Sequence, residues 1–186
     1  MLNLNFNPFP EIRTQDIVLR NLRMDDAPAV FHLRSHPEVL KYLDRPPAGS
    51  LAEAELWIET VLKGTAANTS INWAVCLPTN ERLLGTMAFW KIDETNHRAE
   101  IGYTLDPEWQ GKGLMSRAMQ EVLLYGFHVM NLHGIDANVN PKNQKSINLL
   151  TRFGFQKEAH FKENYYFDGK YLDSAIYCLL RDSARL

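Results

Sequence analysis

Two glycines flank a lysine in the stretch EWQGKGLMSRAM, residues 108–119, and the residues after them read as the start of a helix. A glycine-rich turn that opens a helix leaves backbone N–H groups free, and the helix dipole favours an anion beside them. Glycine at positions 111 and 113 also permits positive φ angles and a close approach of the backbone to a ligand. The stretch therefore offers phosphate binding, and its alternative is an ordinary turn between a strand and a helix.

Two common phosphate-binding motifs do not fit this turn. A Walker A loop, G-x-x-x-x-G-K-[ST], would need glycine at Asp106 and Ser or Thr at Gly113. A dinucleotide-binding fingerprint, G-x-G-x-x-G, matches at Gly111 and Gly113 but has Ser116 at its third position. The sequence therefore favours neither a nucleoside triphosphate nor a dinucleotide.

A third pattern, [Q/R]-x-x-G-x-[G/A], fits at Gln110 and Gly113 and departs at Met115. Here the chain resembles the GNAT superfamily, whose members transfer an acetyl group from acetyl-CoA to an amine. The departure at Met115 is shared with the branch of ribosomal-protein N-terminal acetyltransferases, in which WGKGLMS-like sequences are common. The resemblance covers most of the chain, and its further family-like features are AEIGYTL at 99–105, NVNPKNQKS at 138–146 and FGF at 153–155.

The resemblance assigns the glycine turn to the pyrophosphate of CoA. Backbone amides are expected to hold it, and the residues involved are Gln110, Gly111, Lys112, Gly113, Leu114, Met115 and Ser116. The preceding strand is expected to pair its backbone with the pantetheine arm at Tyr103, Thr104 and Leu105. Acetyl-CoA is thus the expected cosubstrate.

Glu100 is the candidate general base of this reaction. The attacking amine must be neutral, whereas the pKa of an α-amine is about 8 and that of a lysine about 10.4. Alternation along the strand places Glu100 on the face opposite Tyr103. In the resembling branch a glutamate at this strand position is implicated in amine activation, directly or through water. The alternative is a solvated carboxylate paired with Arg98 or Lys91, and both interpretations stay open.

The proton donor for the leaving thiolate is less obvious. Most members of the superfamily carry a tyrosine five residues before the last Phe of a Y-x-x-x-G-F run, and this chain has Leu150 there. Ser146 lies one turn earlier on the same helix face and can hydrogen-bond the sulfur, a role assigned to serine in the resembling branch. Its alternative is a first-turn serine that supports the helix cap. Asn143 is expected to cap that helix, and the family also places an asparagine here against the cofactor.

Several aromatic residues are further candidates. Trp73, Trp90 and Tyr103 fall on neighbouring predicted strands, where they line the acceptor slot or fill the core. Tyr165 and Tyr166 are alternative acids.

The elements that position these residues follow the order β-α-α-β-β-β-α-β-α-β-β. Strands are predicted at 17–23, 71–77, 83–92, 98–105, 134–140, 155–167 and 171–181, and helices at 27–35, 51–64, 114–130 and 143–154. Caps are expected within 24–26 and at Ser50, and a turn at Asp168-Gly169. A right-handed crossover should place strands 98–105 and 134–140 side by side. The predicted class is α+β, with a mixed, mainly antiparallel twisted sheet flanked by about four helices, and the resemblance implies the GNAT-like fold in one domain over 1–186.

Composition excludes several other classes of protein. The 186 residues are 45% hydrophobic and 23% charged, as in a soluble globular chain. A net charge of -2 leaves no basic field for a nucleic-acid partner, and no apolar run approaches the roughly 20 residues of a membrane span. No signal-peptide pattern opens the chain, and Cys76 and Cys178 fall in apolar runs, so we expect a cytoplasmic protein with reduced core thiols. No metal-ligand spacing is present.

The expected function is therefore transfer of acetyl from acetyl-CoA to a primary amine, by direct attack in a ternary complex. A protein N-terminal α-amine is the favoured acceptor. The alternatives are a small-molecule amine (polyamine, amino acid or antibiotic) and a non-catalytic CoA-binding regulatory module, which the missing tyrosine at Leu150 motivates. Expected partners are acetyl-CoA and the amine acceptor, with no nucleic acid or membrane, in a monomer or homodimer.

Overall fold

A mixed sheet of eight strands forms the centre of the computed structural model, which describes residues 1–186. The strands are β1 (Ile12–Arg13), β2 (Val18–Asn21), β3 (Ile71–Cys76), β4 (Leu83–Asp93), β5 (Arg98–Leu105), β6 (Gly134–Val139), β7 (Gln156–Phe167) and β8 (Lys170–Leu180). Their order across the sheet is β1-β2-β3-β4-β5-β6-β8-β7. Every neighbouring pair is antiparallel except β5 and β6, which are parallel. The predicted α+β class is confirmed.

Five α-helices flank the sheet. They are α1 (Ala27–Ser35), α2 (Pro37–Leu40), α3 (Leu51–Ala66), α4 (Leu114–Leu124), which continues as a π-helical turn over Tyr125–Val129, and α5 (Gln144–Arg152). The helices α1 and α3 pack one apolar cluster against the sheet, with Val30 and Ile58 among its buried members. The larger cluster lies on the other face, where α4 and α5 contribute Met119 and Leu150. The sheet therefore separates two helical layers.

The parallel pair β5 and β6 is joined through α4, as the crossover prediction required. Its register runs only from Arg98↔Gly134 to Glu100↔Asp136. Beyond Glu100, β5 continues to Leu105 and β6 to Val139 with no further pairing between them. The two strands therefore separate in the middle of the sheet, and the edge of β5 that faces β6 is left without a strand partner.

Local signals explain why several elements begin and end where they do. The Ser50 hydroxyl accepts a hydrogen bond from the Glu53 N–H at 3.3 Å and so caps α3, as predicted. Asp168 and Gly169 have φ angles of 48° and 76°, the two positive values that a type I′ hairpin turn needs between β7 and β8. Gly154, with φ 98°, ends α5.

Three features of the first fifty residues differ from the predictions. The expected aspartate cap of α1 is wrong, because Asp26 makes no cap hydrogen bond there. Its carboxylate instead forms a buried ion pair with Arg20, at 2.6 Å between Nη2 and Oδ1. The strand β1 and the single turn α2 were not predicted, since two and four residues are too few to display a period.

Candidate active site

The turn between β5 and α4 presents a run of backbone N–H groups that have no acceptor within the protein, those of residues 111–116. Gly111 and Gly113 hold the turn in the left-handed region, with φ angles of 77° and 79°. Gly113 stands at the N-cap position of α4 and has no side chain to accept from the first helical amides. Unsatisfied N–H groups at a helix N-terminus form an anion site, so the turn has the geometry that phosphate binding requires.

The side chains around this turn stabilise its conformation, and they leave its backbone N–H groups accessible. Gln110 donates from Nε2 to the carbonyl oxygen of Leu105 at 3.3 Å and accepts from Lys145 Nζ at 2.9 Å, which ties the end of β5 to α5. The ammonium of Lys112 lies 4.5 Å from the ring centroid of Trp109. Leu114 is buried, and Met115 and Ser116 are half-buried. These placements leave the backbone of the turn as the part open to an anion.

A cavity of about 500 Å³ lies where β5 and β6 separate. Residues from both faces of the sheet line it: Tyr103 and Ser146 come from the α5 side, whereas Trp90 and Glu100 come from the α1 and α3 side. Thr104 also lines it, although its hydroxyl is paired with that of Thr86 at 3.0 Å. The cavity therefore reaches both faces of the sheet through the gap between the two strands.

Glu100 combines the two interpretations that the sequence left open. Its Oε2 accepts a hydrogen bond from Lys91 Nζ at 2.8 Å, so it is paired with the lysine. Arg98, the other suggested partner, pairs with Asp136 instead. The Glu100 side chain is nevertheless only 17% exposed and lines the cavity, whereas that of Lys91 is 69% exposed. The other carboxylate oxygen of Glu100 has no hydrogen-bond donor within the protein.

The hydroxyl groups of Tyr103 and Ser146 are hydrogen-bonded to each other at 2.7 Å. Burial raises the pKa of Tyr103 to about 12, while the bond from Ser146 acts in the opposite direction. Tyr103 is therefore protonated at neutral pH and has a proton to donate along this contact. The sequence assigned Tyr103 a backbone role and a place in the acceptor slot or the core, but the partnership with Ser146 had no signal in the spacing of the two residues.

Two other residues of α5 lie as the sequence suggested. Asn143 caps the helix, since its Oδ1 accepts from the Ser146 N–H at 3.2 Å, and it also lines the cavity. Only the backbone of Ser146 takes part in that cap, because its hydroxyl is bonded to Tyr103. Leu150 is fully buried in the core, one turn below Ser146. The usual tyrosine position is thus occupied by a packing residue that does not reach the cavity.

The aromatic candidates divide between core and cavity. Trp73 is fully buried and donates from Nε1 to the Pro10 carbonyl at 2.9 Å, so it belongs to the core. Trp90 is 38% exposed and lines the cavity, with its ring lying where a side chain at position 102 would stand. Tyr165 lines the cavity as well, but burial and then the Asp44 carboxylate raise its pKa, which makes it a weak acid. Tyr166 is 64% exposed and packs on Tyr171.

Arg34 and Arg45 also line the cavity, and the sequence analysis named neither of them as a site residue. They lie eleven residues apart in chain segments with no common period. A backbone hydrogen bond holds their two segments together, because the Ala48 N–H donates to the Arg34 carbonyl oxygen at 2.9 Å. Two cations thus face a cavity that the sequence described only by its base and acid.

Other reactive side chains lie away from the cavity. Cys76 and Cys178 are both buried and free, and burial raises the pKa of each thiol to about 11. No three His, Cys, Asp or Glu side chains gather in a way that would hold a metal ion. None of the helices is both long and apolar enough to cross a membrane.

Comparison with known proteins gives matches over most of the chain. Residues 16–156 match the family model described as Acetyltransferase (GNAT) domain. The chain is 33% identical over 168 residues to the uncharacterized N-acetyltransferase p20 of Bacillus licheniformis, covering 90% of this chain and 94% of that protein. It is also 33% identical over 103 residues to the [ribosomal protein uS5]-alanine N-acetyltransferase of Escherichia coli (strain K12), covering 55% of this chain and 53% of that protein.

A solved structure extends the similarity to a complex with cofactor. The spermidine N-acetyltransferase from Vibrio cholerae in complex with CoA and spermine aligns with a TM-score of 0.80 and 26% identity. The alignment covers 91% of this chain and 98% of that chain. The relatives therefore include enzymes named for a ribosomal protein and for a polyamine, so they do not fix the acceptor of this chain.

Proposed function

Because the chain belongs to the GNAT acetyltransferase family, we propose that it transfers the acetyl group of acetyl-CoA to a protein N-terminal α-amine. The observation that carries this proposal is the presence together of an anion site, an opening in the sheet and a cavity with candidate catalytic groups. These are the unpaired amides of 111–116, the gap between β5 and β6, and the cavity that contains Glu100 and the Tyr103–Ser146 pair.

The turn is proposed to bind the CoA pyrophosphate through its amides, with Asn143 nearby on α5. Each hydrogen bond to a charged oxygen is worth about 1.5–3 kcal/mol, so several of them suffice to anchor the cofactor. The backbone edge of β5 from Tyr103 to Leu105, which has no strand partner on the β6 side, offers pairing groups to the pantetheine arm. The thioester would then lie in the cavity beside Ser146.

Glu100 is proposed as the general base, acting directly or through a water molecule. An α-amine with a pKa of about 8 is roughly one-tenth neutral at pH 7, and a carboxylate within reach takes the proton of the remainder. Glu100 lines the cavity, and Lys91 fixes one of its two carboxylate oxygens. The role rests on this placement.

The proton balance assigns a part to the Tyr103–Ser146 pair. The amine nitrogen loses one proton before it attacks the thioester carbon and a second as the C–N bond forms. The C–S bond breaks, and the sulfur takes a proton from the Ser146 hydroxyl, which Tyr103 replaces through the 2.7 Å contact. Both amine protons pass through Glu100 to solvent, and solvent returns one proton to Tyr103, so the net result is one proton released and one on CoA. In this proposal the pair does the work of the tyrosine that Leu150 replaces.

An acceptor screen tests the proposal. The protein is incubated with acetyl-CoA and a set of N-terminal peptides, spermidine and free amino acids, and CoA thiol release is measured with mass spectrometry of the products. We expect acetylation of the α-amine of at least one peptide, and a loss of about 100-fold or more in kcat for Glu100→Gln. CoA binding without turnover of any amine, unchanged by Glu100→Gln, would instead indicate a CoA-binding module.

A further inference from the structure

Arg34 and Arg45 line the cavity and have no carboxylate partner. Arg20, Arg98 and Arg117 each form an ion pair with an aspartate. Arg34, near the end of α1, and Arg45, after α2, form none, although both are only partly exposed. Two unpaired cations therefore lie side by side at the cavity.

Arg45 is the less satisfied of the two. Its Nε atom is buried and has no hydrogen-bond partner. Burial, reinforced by repulsion from Arg34, lowers the pKa of Arg45 to about 10. A buried donor without an acceptor destabilises the folded protein, and more so when the group is charged. Such a cost is recovered when an anion binds.

Arg34 is held in place by contacts that leave its donors unused. Its guanidinium lies 4.8 Å from the ring centroid of Trp57, a cation–π contact. The nearest carboxylate that acts on it is that of Glu53, which raises its pKa against the larger lowering by burial. That carboxylate is already committed, because Glu53 Oε2 accepts from the Gly49 N–H at 3.0 Å.

The two arginines stand between two openings. They line the central cavity of about 500 Å³ and a smaller outer pocket of about 330 Å³, and Trp57 and Thr60 line both spaces as well. The outer pocket, and the part of the cavity that the arginines line, lie on the α1 and α3 side of the sheet, which is also the side of Glu100. A molecule that reaches Glu100 from this side passes the arginines.

The cavity also contains an unsatisfied hydrogen-bond acceptor, in contrast to the donors of the two arginines. The Asn72 amide oxygen is buried without a hydrogen-bond donor, and Asn72 lines the cavity on the same strand face as Glu100. It can accept from an amine, whereas the arginines can only donate. The unsatisfied groups of this wall therefore suit a molecule that carries both an amine and an anion.

We propose that Arg34 and Arg45 bind a carboxylate of the amine acceptor, which makes this enzyme selective for peptides with an acidic residue next to the N-terminus. The inference rests on the proposed function and specifies its substrate. A guanidinium pair recognises a carboxylate through paired N–H donors, and the same charges repel a polyamine. The other charges that line the central cavity on this wall are both carboxylates: Glu100, which is paired with Lys91, and Asp44, which lies against Tyr165.

Peptides that differ only in their second residue test whether the acceptor's carboxylate is recognised. Peptides that begin Ala-Asp, Ala-Asn or Ala-Lys and are otherwise identical are compared for kcat and KM. Alanine and alaninamide form a second pair, which separates an α-carboxylate from a side-chain carboxylate. We expect the Ala-Asp peptide to have a KM about tenfold to a hundredfold below that of Ala-Asn, the ratio that one charge-assisted contact represents. Equal values for the three peptides would overturn the inference. A preference for alanine over alaninamide without a peptide preference would assign the carboxylate to free amino acids and overturn the peptide selectivity.

Variants locate the effect at the arginines. Arg45→Gln and Arg34→Gln should raise KM for the Ala-Asp peptide towards that of Ala-Asn, and should change KM for Ala-Asn by a smaller factor. Arg45→Glu should reverse the preference towards Ala-Lys. Arg152→Gln, at an exposed arginine of α5, is the matched control and should change nothing. Thermal melting checks the folding of each variant. Equal losses on all three peptides in a folded Arg45→Gln variant would mean that the arginine has no selective role.

Measurement of peptide binding in the absence of acetyl transfer distinguishes the carboxylate-site proposal from the proposed function. Calorimetry with CoA-loaded protein measures the affinity for the same peptides independently of acetyl transfer. Tighter binding of Ala-Asp, lost in Arg45→Gln, would support the carboxylate site even if no peptide were acetylated, and only the proposed function would then fail. Acetylation of all peptides with equal affinity would leave the proposed function standing and overturn this inference.

Discussion

Tyr103 and Ser146 join their hydroxyl groups across the space between β5 and α5, and we propose that this contact carries protons on the side of the cavity away from Glu100. A tyrosine with a pKa near 12 is a weak acid by itself. Through Ser146 it can still replace a proton that the serine gives to sulfur, because the serine is never left charged. The pair is therefore expected to act as one unit.

Removing either hydroxyl should have nearly the effect of removing both. We expect Tyr103→Phe and Ser146→Ala each to lower kcat by about 100-fold, the lower range of general acid catalysis, with little change in the Kd of CoA. The double variant should be no slower than the slower single variant, since coupled residues are not additive. Steady-state kinetics and CoA calorimetry measure both quantities. Thr151→Ala on the exposed side of α5 serves as the control, and multiplicative losses would contradict the shared path.

At the scale of elements, the turn before α4 works through backbone conformation. Gly113 has a φ of 79° and Gly111 a φ of 77°, so each lies where an L side chain is strained. The side chain of Lys112, in contrast, is exposed and rests on Trp109. Loss of the backbone shape should therefore weaken CoA binding more than loss of the lysine charge.

Gly113→Val should nearly abolish CoA binding, and Lys112→Ala should weaken it only modestly. A β-branched residue in the left-handed region costs about 1–3 kcal/mol, and tilting the amides away loses charge-assisted hydrogen bonds of similar worth, which together raise Kd about 100-fold or more. Removal of an exposed cation should change Kd by about a few-fold. Calorimetry with CoA measures both variants. Equal losses would show that the amides are not the main contacts.

The start of α1 depends on a buried charge pair. Arg20 and Asp26 have side chains that are 3% and 6% exposed, and Asp26 Oδ2 also accepts from the Arg23 N–H at 2.8 Å. Asp26→Ala leaves the guanidinium buried without its partner, which should cost about 3–5 kcal/mol in the free energy of unfolding. Urea denaturation measures it. Glu38→Ala breaks an exposed pair with Lys41 and should cost less than about 1 kcal/mol, so similar losses would contradict the argument.

Elements with a strong local signal could be predicted from the sequence. The strands β3, β4 and β5 show either an alternation of apolar and polar residues or a continuous apolar run. Asp168-Gly169 forms a turn whose two positive φ angles only a few dipeptides adopt readily. The glycine turn was likewise found because its conformation depends on its own residues. Elements without such a signal, such as β1 and α2, were missed because their few residues are ordered by neighbours.

The missed parts of the candidate site are the ones that depend on tertiary structure. The separation of β5 and β6 is a property of register, and no residue of either strand encodes it alone. The Tyr103–Ser146 contact and the approach of Arg34 to Arg45 each join segments that have no common period. Glu100 was found because alternation along one strand fixes its face, while the choice of Lys91 over Arg98 as its partner depends on the bulged end of β4.

At the scale of the whole molecule, the sheet divides the site between its two faces. The turn before α4, Ser146 and Tyr103 lie on the side of α4 and α5, and Glu100 lies on the side of α1 and α3. The cavity joins these sides through the gap between β5 and β6. The cofactor and the acceptor can therefore approach from opposite faces and meet inside the sheet.

This arrangement predicts direct transfer in a ternary complex. Neither Cys76 nor Cys178 lines the cavity, and burial keeps both thiols protonated, so no thiolate is available to take the acetyl group first. Initial velocities at several concentrations of both substrates should give intersecting lines. Mass spectrometry after incubation with acetyl-CoA alone should find an unmodified chain. Parallel lines together with an acetylated chain would indicate a covalent intermediate.

The same buried groups make the folded chain sensitive to alkali. Burial raises the pKa of Cys76 and Cys178 from 9.0 to about 11 and those of Tyr103 and Tyr125 from 10.0 to about 12. Between these values the folded state keeps protons that the unfolded state releases. The free energy of unfolding therefore has its full value below pH 9 and falls as the pH rises, by up to about 1.4 kcal/mol per pH unit for each group. Urea denaturation from pH 8 to 11 measures the fall, and Cys76→Ala should make it shallower. A free energy of unfolding that stays constant over this range would contradict the burial of these groups in their neutral form.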